Sequence, residues 1–363
     1  MTWSARTARR LLAGTAALTC CATLAAAPGA QATGASPAAT TGSAVLDPAS
    51  FKGVNWADPR DNYVDGPVVP TGLSTSDDYR TTYRKATAVL GELVRIGRIN
   101  TVRLPVNPYS VGTAWWGSYR AAVDAATDLH LKVILSYWEG TAHKDGLVDD
   151  PVSWDTMWAT LTGTYQRNPK VLFEPMNEPF GYSDTDLRAL EARWIADHPL
   201  IPRHRVVVSG TGYNDHTSTQ CADPALAGTY VSQHFYGFWH QGPSYAQWRE
   251  NLQGRIAGCE GRLIVDEFGS PMTAGYDYTA SATGTTDAER KEYVAYLQAT
   301  TDLIRETGAG GVYWPGLRAA DSYSLTTLDP VGRRISLSLN STSGLKLLEW
   351  AWGRGTRPPH PAP

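Results

Sequence analysis

Two glutamates define the chemistry open to this chain. The run Val171-Leu172-Phe173-Glu174-Pro175-Met176-Asn177-Glu178-Pro179 is an apolar strand pattern that breaks into an Asn-Glu pair, and Leu263-Ile264-Val265-Asp266-Glu267-Phe268-Gly269 ends on a second carboxylate. Two carboxyl groups at the ends of facing strands can flank one substrate bond. One protonates the departing oxygen while the other attacks or activates water, which is what glycosidic-bond hydrolysis requires. Either Glu alone reads as a strand-end surface charge; the pair favours chemistry.

Other groups at strand ends fit around that pair. Arg103 stands between Val102 and Leu104, where a lone buried cation is costly, so it is expected to hold an ionised carboxylate. His234 and Tyr236 are two apart and share one strand face, with Tyr236 a candidate hydrogen-bond donor to the second glutamate. Trp314 offers an aromatic floor for a sugar, with core packing as the alternative. No metal-ligand spacing joins the histidines, cysteines and acids, and the two-carboxylate mechanism calls for no cofactor.

The elements that must position these groups follow from hydrophobic pattern. Short apolar runs at 51–56, 101–106, 132–137, 171–176, 205–209, 229–235, 263–268 and 311–314 read as strands. Amphipathic stretches at 79–96, 119–129, 154–167 and 289–306 read as helices between them. Eight strands alternating with helices predict an α/β fold, a single (β/α)8 barrel over residues 49–352. A doubly wound open sheet competes, but no Gly-rich phosphate loop follows any strand. In a barrel, active groups cluster at the C-terminal strand ends, where both glutamates lie.

With these motifs in place, the chain resembles glycoside hydrolase family five, retaining (β/α)8 enzymes that include cellulases and mannanases. The resemblance spans residues 51–350 and rests on five motifs in order. They are Thr101-Val102-Arg103-Leu104-Pro105, Asn177-Glu178-Pro179, His234-Phe235-Tyr236, Asp266-Glu267-Phe268-Gly269 and Tyr313-Trp314. It implies Glu178 as acid/base, Glu267 as nucleophile and Asn177 as donor to the sugar 2-hydroxyl, with Arg103, His234, Tyr236 and Trp314 supporting. Asn55 is grouped with the substrate-binding set. The third strand ends Ser136-Tyr137-Trp138-Glu139, where cellulase-like members often carry Asp-x-His. That departure changes a glycone-site hydrogen bond; Trp138 then offers a stacking face and Glu139 a substrate contact.

The termini and composition set the context. Arg6, Arg9 and Arg10 precede an Ala- and Leu-rich run, and Ala30-Gln31-Ala32 supplies a cleavage pattern, so residues 1–32 read as an export signal. Residues 33–48 read as a flexible spacer and 353–363 as a Pro-rich tail of similar character. The formal net charge is -3 and becomes more acidic without the three signal arginines, which argues against nucleic acid or anionic membrane partners. Once Cys20 and Cys21 leave with the signal, Cys221 and Cys259 remain and are expected to form a disulfide in an extracellular protein.

The expected activity is that of a secreted, monomeric, retaining β-glycosidase on carbohydrate, β-glucosidic by preference. It is read either as an endoglucanase or as exo-acting on oligosaccharides or diglycosides. β-Mannan hydrolysis is the alternative within the clan, and a non-catalytic sugar-binding barrel the alternative from another class. Two long loops, 58–78 and 318–338, are expected to wall off part of the cleft, with Asp58, Arg60, Asp61, Asn62 and Asp65 facing sugar hydroxyls. Trp115, Trp116 and Trp239 follow strand ends and are candidates to line it, with packing an equal reading for each.

Overall fold

Each predicted strand is a short run whose alternate side chains meet two different apolar surroundings, and that pattern closes into a barrel. The computed structural model describes residues 45–240, 242, 244–281, 286–331 and 334–359, so the expected signal and the spacer up to residue 44 lie outside the described residues. Strands β1 (Lys52–Trp56), β2 (Thr101–Val106), β3 (Lys132–Tyr137), β4 (Val171–Glu174), β5 (Val207–Ser209), β6 (Tyr230–His234), β7 (Leu263–Glu267) and β8 (Gly310–Leu317) run parallel. Their order is β4-β3-β2-β1-β8-β7-β6-β5. A single bridge between Phe173 and Val206 joins the two ends of that path, so the ladder is thinnest where β4 meets β5.

Helices follow the strands in turn: α1 (Tyr79–Gly97), α2 (Ala114–Asp128), α3 (Pro151–Tyr165), α4 (Asp184–Asp197), α5 (Ser218–Ala222), α6 (Tyr245–Ile256), α7 (Ala288–Thr307) and α8 (Thr342–Ala351). Asp78, Asp150, Ser183, Ser244, Asp287 and Ser341 each accept a backbone N–H in the first turn of the helix they precede. Such caps fix where a helix begins. Val102, Leu104, Val133, Leu135, Val171 and Phe173 turn outward and join the helices in one buried cluster. The alternating set Ile134, Leu172, Val207, Ile264 and Val312, with Phe51 and Tyr230, forms a second buried cluster inside the barrel.

Two expectations are corrected. The stretch 318–338 is not one long loop: β9 (Thr326–Val331) and β10 (Arg334–Leu339) pair as an antiparallel hairpin, joined to β8 at Leu317 and Thr326. The Pro-rich end does not hang free over its described part, because Arg354 donates to the carbonyls of Gly97 and Arg98 and Arg357 pairs with Asp302 at 2.5 Å. Cys221 and Cys259 form the expected disulfide, linking α5 to the stretch that enters β7. Their separation of 38 residues closes a loop whose chain entropy corresponds to about 4 kcal/mol of stabilisation.

Candidate active site

Strand alternation builds the site in layers above the apolar plug. Two residues beyond Ile134 and Leu172 the inward positions are Ser136 and Glu174, and Arg103 reaches them from β2. Its guanidinium is saturated. Nε donates to Glu174 at 2.7 Å, Nη1 to Asn55 at 3.0 Å and Glu267 at 2.5 Å. Nη2 donates to Ser136 at 2.9 Å, Glu174 at 2.6 Å and Asn177 at 2.6 Å. One buried cation thus ties its own strand to β1, β3, β4 and β7, and its cost is met by paired charges.

Glu267 reaches the cavity because β7 breaks alternation. Gln233 pairs with Val265 but His234 pairs with Glu267, leaving Asp266 as an extra residue in the ladder. That bulge lets consecutive acids both meet inward-facing groups. Asp266 Oδ1 lies 3.4 Å from His234 Nε2, while Glu267 Oε2 accepts the Tyr236 hydroxyl at 2.7 Å. Both Glu267 oxygens are therefore held, one by Arg103 and one by Tyr236. Burial raises its pKa most, and the Glu178 charge adds to that; His234, Arg103 and the Tyr236 bond pull it back, leaving it above the ordinary carboxylate value.

Glu178 arrives differently. Pro175 ends the β4 ladder, and the chain turns so that Glu178 sits at φ 49°, a left-handed conformation that a non-glycine residue holds only under constraint. Its N–H donates to Asn214 Oδ1 at 3.1 Å, and Oε1 lies 3.1 Å from His234 Nδ1. Asn62 Nδ2 approaches the other oxygen at 3.5 Å. The Glu178 side chain is 18% exposed against 6% for Glu267, and oxygens of the two carboxylates lie within 4.8 Å of each other.

His234 is fully buried between these acids. Burial alone lowers its pKa, but Glu267, Asp266 and Glu178 together raise it to about 10, which favours the protonated ring. Two sets of three groups come within metal-ligand reach, Glu174-His234-Asp266 and Glu178-His234-Glu267, which the sequence spacing did not reveal. Both depend on His234, whose two ring nitrogens face carboxylates, Nδ1 toward Glu178 and Nε2 toward Asp266.

A cavity of about 510 Å³ opens onto the pair. Asn177, Tyr236, Trp138 and Trp314 line it, the two tryptophan rings 5.5 Å apart and tilted by 44°. Trp314 lies inside β8 and not at its end. Asn177 Oδ1 is taken by Arg103.

Asn55 and Glu139 do not line the cavity. Asn55 donates to the Asp266 carbonyl at 2.7 Å and steadies Arg103, while Glu139 accepts the N–H groups of Asp145 and Gly146 and shapes that loop. Of the 58–78 loop, Asp61 and Asn62 reach the cavity with Tyr63 beside them. Asp58 instead binds Arg60 and the Val69 N–H, and Arg60 donates to the Asp65 carbonyl, so those residues hold the loop together. Trp115 and Trp116 belong to α2 and the core, and Trp239 packs on Phe235 behind the lining.

Sequence reasoning missed Tyr213, Phe238, Arg318, Asp321, Ser322 and Tyr323, all cavity-lining residues outside the barrel strands. Arg318 pairs with Asp61 at 3.1 Å and Asp321 at 2.8 Å, so it bridges the loop after β1 to the loop after β8 across one side of the cavity.

A family model described as cellulase (glycosyl hydrolase family 5) matches residues 63–315. A search of curated protein sequences returns no significant match. Among solved structures, a triple mutant of an endo-β-1,4-glucanase from Xanthomonas axonopodis pv. citri is 17% identical with a TM-score of 0.57, covering 84% of this chain and 99% of its own. XacCel5A in complex with cellopentaose is 17% identical at 0.54, covering 83% and 99%. A hyperthermostable endocellulase, studied for the contribution of a disulfide bond to its thermostability, is 16% identical at 0.59, covering 83% and 92%. At these identities the likeness establishes a shared (β/α)8 fold.

Proposed function

The chain belongs to the cellulase family, glycosyl hydrolase family 5, and from that premise we propose that it is a secreted, retaining β-glycosidase acting on β-glucosidic bonds. Glu178 gives its proton to the leaving oxygen while Glu267 attacks the anomeric carbon, forming a glycosyl-enzyme. Water then attacks that carbon, Glu178 takes the proton back and Glu267 leaves. One observation carries the reading: carboxylate oxygens of the pair within 4.8 Å of each other. Retaining enzymes hold their carboxyl groups roughly 5–5.5 Å apart, whereas inverting ones need about 6.5–9.5 Å to seat a water between them. The division of roles follows from the partners. Arg103 and Tyr236 grip both oxygens of Glu267, which suits an anion, while Glu178 is the more exposed.

Time-resolved NMR of the first product is the test, and the β anomer is the expected early signal. Early appearance of the α anomer ends the retaining reading.

A glucan substrate is supported by the family and by the endoglucanase and cellopentaose-bound structures that share the fold. The Asp61–Arg318–Asp321 bridge supports a short glycone, because it draws two loops together over one side of the cavity. Arg318→Ala is then expected to raise KM for short soluble β-glucosides about tenfold, the effect of one lost charge-assisted hydrogen bond. It should also increase internal cleavage of soluble glucan. An unchanged product profile, or a rapid viscosity drop with the unaltered enzyme, argues for an open endo-acting cleft instead.

Secretion is supported by the basic, apolar and small-residue pattern of residues 1–32 and by the Cys221–Cys259 disulfide, a bond of oxidising compartments. N-terminal sequencing of protein recovered from culture medium should begin after Ala32; an intact Met1 there contradicts it.

A further inference from the structure

A circuit of hydrogen bonds, closed by one ion-pair contact between His234 and Asp266, holds Glu178 at both ends. Its backbone N–H donates to Asn214 Oδ1 at 3.1 Å, Asn214 Nδ2 donates to Ser232 Oγ at 2.5 Å, and Ser232 Oγ donates to Asp266 Oδ1 at 2.5 Å. Asp266 Oδ1 faces His234 Nε2 at 3.4 Å, and His234 Nδ1 returns to Glu178 Oε1 at 3.1 Å. Asn214, Ser232, His234 and Asp266 are all fully buried. Asp266 does not line the cavity, and its Oδ2 has no hydrogen-bond partner among the described residues, the Arg103 Nε lying 3.9 Å from it. A buried carboxylate with an idle oxygen is a poor structural choice. Its place in the circuit gives it another purpose.

We propose that Asp266 is a positioning residue for Glu178, acting through His234 to fix the ring so that Nδ1–H points at the Glu178 carboxyl throughout the reaction. The inference rests on Glu178 being the acid/base. Asp266 demands a donor at Nε2 and the ionised Glu178 needs one at Nδ1, so the ring carries both protons and keeps them. The proton that moves is the one on Glu178: it goes to the leaving oxygen in the first step and is replaced from water in the second. Asn214 Nδ2 also lies 3.4 Å from Nε2, but its shorter contact is to Ser232. The charged groups around the ring are Glu178 beyond β4, Glu174 on β4, and Asp266 and Glu267 on β7. Arg103 on β2 pairs with the last three of these and compensates part of their charge.

The test compares kcat/KM on an activated substrate, 2,4-dinitrophenyl β-glucoside, with that on phenyl β-glucoside, whose leaving group needs protonation. Asp266→Asn is expected to lose about 100-fold on the phenyl substrate and less than about fivefold on the dinitrophenyl one, within the range general acid catalysis contributes. Ser232→Ala, a smaller change in the same circuit, should show the same bias at about tenfold. Nitrogen NMR should find both His234 nitrogens protonated through neutral pH in the unaltered enzyme and the ring titrating at lower pH in Asp266→Asn. Equal losses on both substrates, or none, overturn the proposal, and Ser232→Ala decides alone where Asp266→Asn does not fold. Glu178→Ala run in parallel separates the failures. If it lacks leaving-group bias, the acid/base reading falls; if it has the bias and the Asp266 and Ser232 variants do not, only this inference falls.

Discussion

Glu178→Ala and Glu267→Ala should lose activity in different ways. Without Glu178, a substrate whose leaving group needs a proton should slow about 1000-fold, while a dinitrophenyl glycoside forms its glycosyl-enzyme at a nearly unchanged rate. Hydrolysis of that intermediate then limits turnover, because the base is gone too, and kcat and KM should fall together. Azide, which needs no base, should restore turnover and give a β-glycosyl azide. Glu267→Ala should fail with every leaving group by about 10⁴-fold or more, since no covalent intermediate forms. Azide entering the space left by that side chain should give the inverted α product. The contrast follows from the proposed roles: Arg103 and Tyr236 hold both oxygens of Glu267, as suits a nucleophile, and Glu178 is the more exposed, as suits an acid. A Glu178→Ala enzyme equally slow on all leaving groups contradicts the assignment.

Replacing Arg103 should damage stability and catalysis together. Arg103→Met removes the guanidinium that pairs with Glu174, Asp266 and Glu267, all buried, at a cost of about 3–5 kcal/mol. Glu174 and Glu267 then take up protons more readily, since Arg103 lowers the pKa of both. Burial already raises Glu174 to about 7 even with Arg103 pulling it down. For Glu267 the sign is clear: Arg103 lowers its pKa, so removing Arg103 raises it, and a nucleophile must be ionised to attack. The acidic limb of the pH–rate profile should therefore move to higher pH, by about 1–3 units for loss of an opposite charge at contact distance. Arg103→Lys should recover part of the limb but little of the stability, because an ammonium cannot reproduce the planar fork that binds both Glu174 oxygens. Urea denaturation and pH–rate profiles of the two variants check both halves. An unmoved acidic limb in Arg103→Met rules out its control of the nucleophile.

The barrel was legible because its strands are short apolar runs flanked by helices with clear starts; β2 and β3 match their predicted limits, and the others differ by a few residues. Arg103 was legible because a single cation in such a run has to be answered by buried acids. Asp266 was not, since strict alternation admits only one of two neighbours to the interior and a bulge leaves no mark in a lone sequence. Glu174 carries a usable signal, being in phase with Leu172 on an inward face of the same run that leads to Glu178. Asn214 and Tyr213 depend on three successive left-handed residues, Gly212, Tyr213 and Asn214, a conformation only the glycine hints at. Trp115 and Trp116, open in the sequence to cleft lining or packing, resolve to packing: they follow a strand end, but α2 begins just before them and turns both into the core. Pattern identifies what is buried; it does not say which neighbour a loop brings back.

The thin join between β4 and β5 decides how this barrel breathes. Side chains stitch it in place of a ladder: Arg205 donates to the carbonyls of Tyr165, Gln166 and Val171, Ser209 to that of Met176, and Asn214 accepts the Glu178 N–H. A seam of this kind opens at lower free energy than the rest of the wall, as local unfolding does wherever few backbone bonds must break. Glu178 sits at its upper edge, so each opening carries the acid away from Glu267 on the far wall while the helices stay folded. On warming, turnover should therefore fade before the circular dichroism of the helices changes. The amides around Phe173 and Val206 should exchange with solvent ahead of those in β2 and β3, which are laddered on both sides.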